Sequence, residues 1–171
     1  MSVDFSTLVT DRTAADVKHW EQLHKKGFAN MTDAEKAEWL SGTMKGAYNT
    51  SDLNRVGTAL NYLYERLLSL GYINYSDIFT VKTNWAVTSI PTTSDIEQYL
   101  HCISVIREAL ASFDDTPPAP TNIRRLTHEE ANNIEKILIS VETAINNMIA
   151  VFRFCGMPFC GDLQGIKGVN L

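Results

Sequence analysis

Between Thr127 and Phe154 the apolar residues Ala131, Ile134, Leu138, Val141, Ile145, Met148 and Phe152 recur in alternating steps of three and four. Those steps hold one stripe on a single face of an α-helix for about three heptads. A second line, Ile137, Ala144 and Val151, widens that face, so the helix is expected to be contacted from two sides. Its start is written locally. Thr127 stands where an N-cap hydroxyl is wanted, and Glu130 can reach back to complete a capping box. The spacing predicts the central helix of a bundle.

The rest of the chain supplies partners for it. Thr13 heads T-A-A-D, and the helix it opens carries Val17, Trp20, Leu23 and His24 on one face before Gly27. Thr32 and Glu35 predict a second capping box and a short helix through Trp39 and Leu40 to Gly42. Thr50, Ser51 and Asp52 offer caps for a third helix whose stripe is Leu53, Val56, Leu60, Leu63, Leu67 and Leu70, ended by Gly71. That seam is expected to lie against the central helix. A fourth helix follows Pro91, capped around Ser94 with Glu97, and buries Ile96, Leu100, Ile103, Ile106 and Leu110.

Two connectors break the helical period. Phe79, Val81, Thr83, Trp85 and Val87 alternate with Thr80, Lys82, Asn84, Ala86 and Thr88, which predicts a strand near 79–88. The run from Asp114 to Pro120, with three prolines, is too stiff for a helix and too long for a tight turn. After Phe152 the chain reads Arg153-Phe154-Cys155-Gly156-Met157-Pro158-Phe159-Cys160-Gly161-Asp162, an apolar segment whose glycines and proline argue against a regular helix. The expected architecture is mainly α. About five helices surround the long C-terminal helix, with a minor β element and an irregular C-terminal tail. Residues 1–152 form the helical domain, and 153–171 form a Gly-rich apolar extension.

Composition bears chiefly on what the chain binds. A net charge of −5 offers no surplus of cations to a nucleic acid. No apolar run approaches the ~20 residues that cross a bilayer, and Asp4 and Asp11 interrupt any leader-like stretch. Three cysteines, an odd number, point to reduced thiols in a cytosol. Cys155 and Cys160 form one loose pair where zinc needs about four ligands, so no metal and no cofactor is expected. His19, His24, His101 and His128 show no ligand spacing, and Gly42-Thr43-Met44-Lys45-Gly46 lacks the ending of a phosphate loop. No nucleophile, base or nucleotide fingerprint predicts catalysis.

Several stretches taken together are similar to one family. They are Lys45-Gly46-Ala47-Tyr48-Asn49 with Asp52-Leu53-Asn54-Arg55-Val56, Asn84-Trp85 before Ile90-Pro91-Thr92, the run from Glu130 to Leu138, and the doubled Phe-Cys-Gly at the end. From about Thr10 to Asp162 the chain resembles small proteins and modules encoded among the tail and baseplate genes of Firmicutes prophages. Relatives end in a doubled aromatic-Ser-Gly-Glu pattern. Here cysteines replace the serines, and the acids give way to Met157 or shorten to Asp162. The resemblance implies a virion structural protein, present in the host cytoplasm before assembly. Its implied partners are other phage structural proteins or copies of itself in a homo-oligomer, without nucleic acid or membrane. The alternative is a free phage-encoded cytoplasmic binding protein, such as an inhibitor of a host defence. In either case the residues expected at an interface are Phe154, Cys155, Met157, Pro158, Phe159 and Cys160, together with Trp85.

Overall fold

A computed structural model describes residues 3–73, 79–110, 115–123 and 126–154, the last three by backbone alone. The chain is a helical bundle with five α-helices among the described residues: α1 (Ala14–Lys26), α2 (Asp33–Ser41), α3 (Thr50–Ser69), α4 (Thr93–Glu108) and α5 (His128–Phe154). Short 3₁₀ turns at Phe5–Thr7 and Phe28–Asn30 complete the described elements. All five helices open on a capping box. The Thr32–Glu35 and Thr127–Glu130 boxes are those the sequence predicts; at Thr13 the sequence predicts the cap alone, and the Asp16 carboxylate completes a box there as well.

Two caps differ from expectation. α3 is capped by Asn49 rather than by Thr50, Ser51 or Asp52, with the Asp52 carboxylate returning to the Asn49 N–H at 2.9 Å. α4 is capped by Thr92 and Asp95, not by Ser94 and Glu97. In both, a box one to three residues earlier pairs two orphan donors at once and starts the helix sooner. At the other end of α3, Gly71 takes φ 78°. There Tyr72 N–H reaches the Leu67 carbonyl and Gly71 N–H the Leu68 carbonyl, a Schellman closure.

The core is built where α3, α4 and α5 meet. Leu60, Leu63, Leu67, Ile103, Ile106, Ile134, Ile137, Leu138 and Ile145 are fully buried, so the α3 and α5 seams do face each other and α5 is contacted from two sides. Burial fades along α5: Met148 is partly covered and Val151 stands in solvent. On α4 the buried face is centred on Tyr99, Cys102, Ile103 and Ile106, leaving Ile96 and Leu100 at its margin.

These three helices run in the same direction. Asp52 and Arg55 of α3 stand level with Glu135 of α5, and further along Arg66 reaches Glu142 and Asn146. Parallel neighbours need connectors that travel back the length of a helix, and both connectors do so. Residues 79–86 pass from Tyr64 (stacked on Phe79, centroids 4.1 Å apart) past Gly57 to Asn54, antiparallel to α3. The Pro-rich run returns along α4, with Arg107 donating to the Pro117 carbonyl at 2.7 Å and Ile123 beside Ile96.

The expected strand at 79–88 is therefore corrected: no strand occurs among the described residues. The alternation is real at Phe79, Val81 and Trp85, which turn toward the bundle, but the segment is an extended strap laid over α3 and α4. Its backbone groups are met by side chains instead of a second strand. The Asn54 amide accepts from Trp85 N–H at 2.6 Å and donates to the Trp85 carbonyl at 2.9 Å. Val87 departs from the pattern, at 90% exposed.

Gly57 sets the closeness of that strap. A Cβ there would stand 2.9 Å from the Lys82 carbonyl oxygen and 3.0 Å from Val81 Cγ1. Alanine in mid-helix normally gains about 0.5–1 kcal/mol over glycine. At this contact the overlap is expected to dominate, and Gly57→Ala should lose about 1–3 kcal/mol. A raised melting temperature would show that the strap does not press on α3.

Candidate interaction surface

Four charged side chains lie between the N-terminal segment, α3 and α5. Arg12 is 4% exposed, Asp52 4% and Glu135 0%. Arg12 donates from Nη2 to Glu135 Oε1 at 2.6 Å and to Asp52 Oδ1 at 2.8 Å. Arg55 enters from α3, giving Nε to Glu135 Oε2 at 3.1 Å, Nη2 to Oε1 at 2.8 Å, and a further bond to Asp52. Two guanidiniums and two carboxylates balance in charge, which is what makes burial of the set tolerable. Burial works against the charge of Arg55, but Glu135 and Asp52 outweigh it and raise its pKa above the ordinary value.

The backbone is tied into the same network. Glu135 Oε2 accepts from Val9 N–H at 2.6 Å, and the Asn132 amide exchanges both of its bonds with the Arg12 backbone. The segment around Val9 and Arg12 is thus fixed to α5. The set is a structural clamp in which Arg12 Nε alone, among the side-chain atoms of these four residues, is buried without a hydrogen-bond partner.

What it holds is the floor of a groove. The Arg12 guanidinium lies over the Tyr48 ring, 5.6 Å from its centroid, and the Tyr48 hydroxyl meets that of Tyr99 at 2.6 Å. Burial pushes both phenols above their ordinary range, so they stay neutral hydrogen-bonding groups. Tyr48 and Leu53 form the base of an open cleft of about 400 Å³ walled by Trp20, Trp39, Leu40, Met44, Val87 and Pro91.

One wall of that cleft comes from α1 and α2, which clasp each other outside the main core. Trp20 stacks on His24 (centroids 5.0 Å apart, 7° between planes) and on Trp39 (6.1 Å, 14°). His19 meets Glu38 at 3.1 Å, and Lys26 holds Glu35 at 2.6 Å. The Lys26 ammonium and the Thr32 cap bring the Glu35 carboxyl down to about 2. Gly46 lets the clasp sit close to the loop before α3, since a Cβ there would collide with the Asp16 carbonyl at 2.1 Å. The other wall is the turn that ends the strap.

Large apolar groups face solvent at the lips. Leu40 is 71% exposed, Val87 90% and the adjacent Ile90 88%. Exposed apolar groups brought together are a feature that surfaces suited to meeting another molecule share. Aromatics and Met in the walls are the residue types enriched at protein interfaces.

Of the residues expected at an interface, Trp85 is placed elsewhere. It is 7% exposed within the chain's own core, its indole N–H donating to the Lys82 carbonyl at 3.1 Å and the Lys82 ammonium over its ring at 4.1 Å. A large aromatic in an alternating segment reads as a surface anchor until the strap is seen to lie face-down. Phe154 is the last described residue of α5, and its side chain together with Cys155, Met157, Pro158, Phe159 and Cys160 lies outside the described residues. The groove was missed by sequence reading because its walls come from four separate stretches. The available signal was the pair Trp39-Leu40 on a short helix with no apolar stripe to bury them.

Among the described residues no group of three or more His, Cys, Asp or Glu is placed to hold a metal ion. Cys102 is a buried free thiol whose pKa burial raises. No described helix is long and apolar enough to cross a membrane. No protein-family model, curated protein or solved structure matches the chain.

Proposed function

We propose that this chain is a non-enzymatic structural subunit of a phage tail or baseplate, working through protein–protein contacts. The observation that carries the reading is the exposed groove of Trp20, Trp39, Leu40, Val87 and Pro91, set on a frame whose buried charges are spent on rigidity. An apolar cleft open along its length suits a side-chain-bearing segment of another protein. A pre-formed floor lowers the ordering cost of taking one. The resemblance of the 45–56, 84–92 and 130–138 stretches to prophage tail and baseplate proteins points the same way.

Induction of a lysogen carrying the gene, followed by sedimentation of released particles, tests the proposal. The chain is expected in the particle fraction at a fixed ratio to a known tail protein. Recovery only in the soluble host fraction would overturn it in favour of a free phage-encoded inhibitor.

A further inference from the structure

The end of α5 and the groove lie at opposite ends of the bundle. The groove is floored by Asn49, Thr50 and Leu53, at the start of α3, and that end of α3 is level with Glu135. From Glu135 to Phe154 the helix climbs about 28 Å at its usual rise per residue. Fully extended, the chain from Phe154 to Phe159 spans at most about 18 Å. The apolar segment Phe154-Cys155-Gly156-Met157-Pro158-Phe159 therefore falls short of its own groove, yet it carries groups suited to it: two phenyl rings and a thioether for walls of Trp, Leu and Met.

Resting on the assembly reading above, we infer that the groove of one copy receives the Phe154–Phe159 segment of a second copy. Donor and acceptor are different surfaces, so the contact is head-to-tail. Repetition then gives a closed ring where the rotation closes, two copies exchanging segments being the smallest, and a filament where it does not. The aromatic wall and the exposed Leu40 and Val87 are covered in the assembled state.

Two full-length variants separate donor from acceptor. Leu40→Asp places a charge on the groove lip, at a side chain exposed enough to leave the core alone, and Phe159→Asp places a charge in the segment. Light scattering is expected to give a wild-type mass of two or more chains that falls toward one chain on dilution. Each variant alone should have the mass of one chain. Their equimolar mixture should form two-chain complexes and nothing larger, because one functional groove and one functional segment remain. Circular dichroism checks that both keep their helices; Val87→Asp and Met157→Asp replace any variant that does not.

A wild-type chain that stays monomeric overturns the inference. So does a variant that self-associates like wild type, or a mixture that remains monomeric. The assembly reading fails on a different result, absence from particles. A chain that enters particles without pairing in this mixture would refute only the head-to-tail contact.

Discussion

Glu135→Ala is expected to cost about 3–5 kcal/mol in chemical denaturation, the range found when one partner of a buried ion pair is removed. The carboxylate is fully buried and receives Arg12, Arg55 and the Val9 N–H. Deleting it leaves two guanidiniums with Asp52 alone and one backbone donor without its acceptor. Glu142→Ala is the matched control, because it too receives an α3 arginine at 2.6 Å but at side chains 17–21% exposed. That change should lose no more than about 1 kcal/mol. Similar losses at the two positions would mean that water reaches Glu135 and that the clamp is an ordinary surface network.

The second large effect lies on the apolar seam. Leu138→Ala removes a fully buried side chain where α5 faces its neighbours, and should cost about 2–5 kcal/mol. The range reflects how far the surrounding side chains can close the space. Rigid packing from two sides places this site toward the upper half. A loss below about 0.5 kcal/mol would mean that the seam does not face the core, contrary to its burial.

The seams and several caps were legible because helix period and capping are local: the steps at Ile134, Leu138, Val141 and Ile145 need no knowledge of the partner. The strap was misread because periodicity reports which side chains turn inward, not where the backbone N–H groups go. Phe79, Val81 and Trp85 alternate equally well against helices, and only the Asn54 amide reveals what pairs with Trp85. The clamp was invisible for another reason. Arg12, Asp52, Arg55 and Glu135 come from distant positions, and each alone reads as a cap or a solvated charge. A faint trace exists: Glu135 and Glu142 lie seven apart on one flank of α5, Arg55 and Arg66 eleven apart on α3, and both spacings keep a helix face. The common direction of α3, α4 and α5 was not read from the sequence; the ion pairs along α3 and α5 and the path of the strap show it.

The groove joins these levels. The buried charges fix the segment around Val9 and Arg12 to α5 and set the Arg12 guanidinium over Tyr48. Tyr48 floors the cleft, and the α1–α2 clasp raises its aromatic wall. Function on this account is a property of the lips, while stability belongs to the clamp and the seams. The two can then be separated experimentally, since Leu40 and Val87 contribute little to the core.

The most direct measurement is the partition of a Leu40→Asp/Val87→Asp chain between sedimented particles and supernatant, taken with its thermal melt. The account predicts an unchanged melting temperature and a chain lost from the particles. Incorporation at the wild-type ratio, with the melt unchanged, would contradict it.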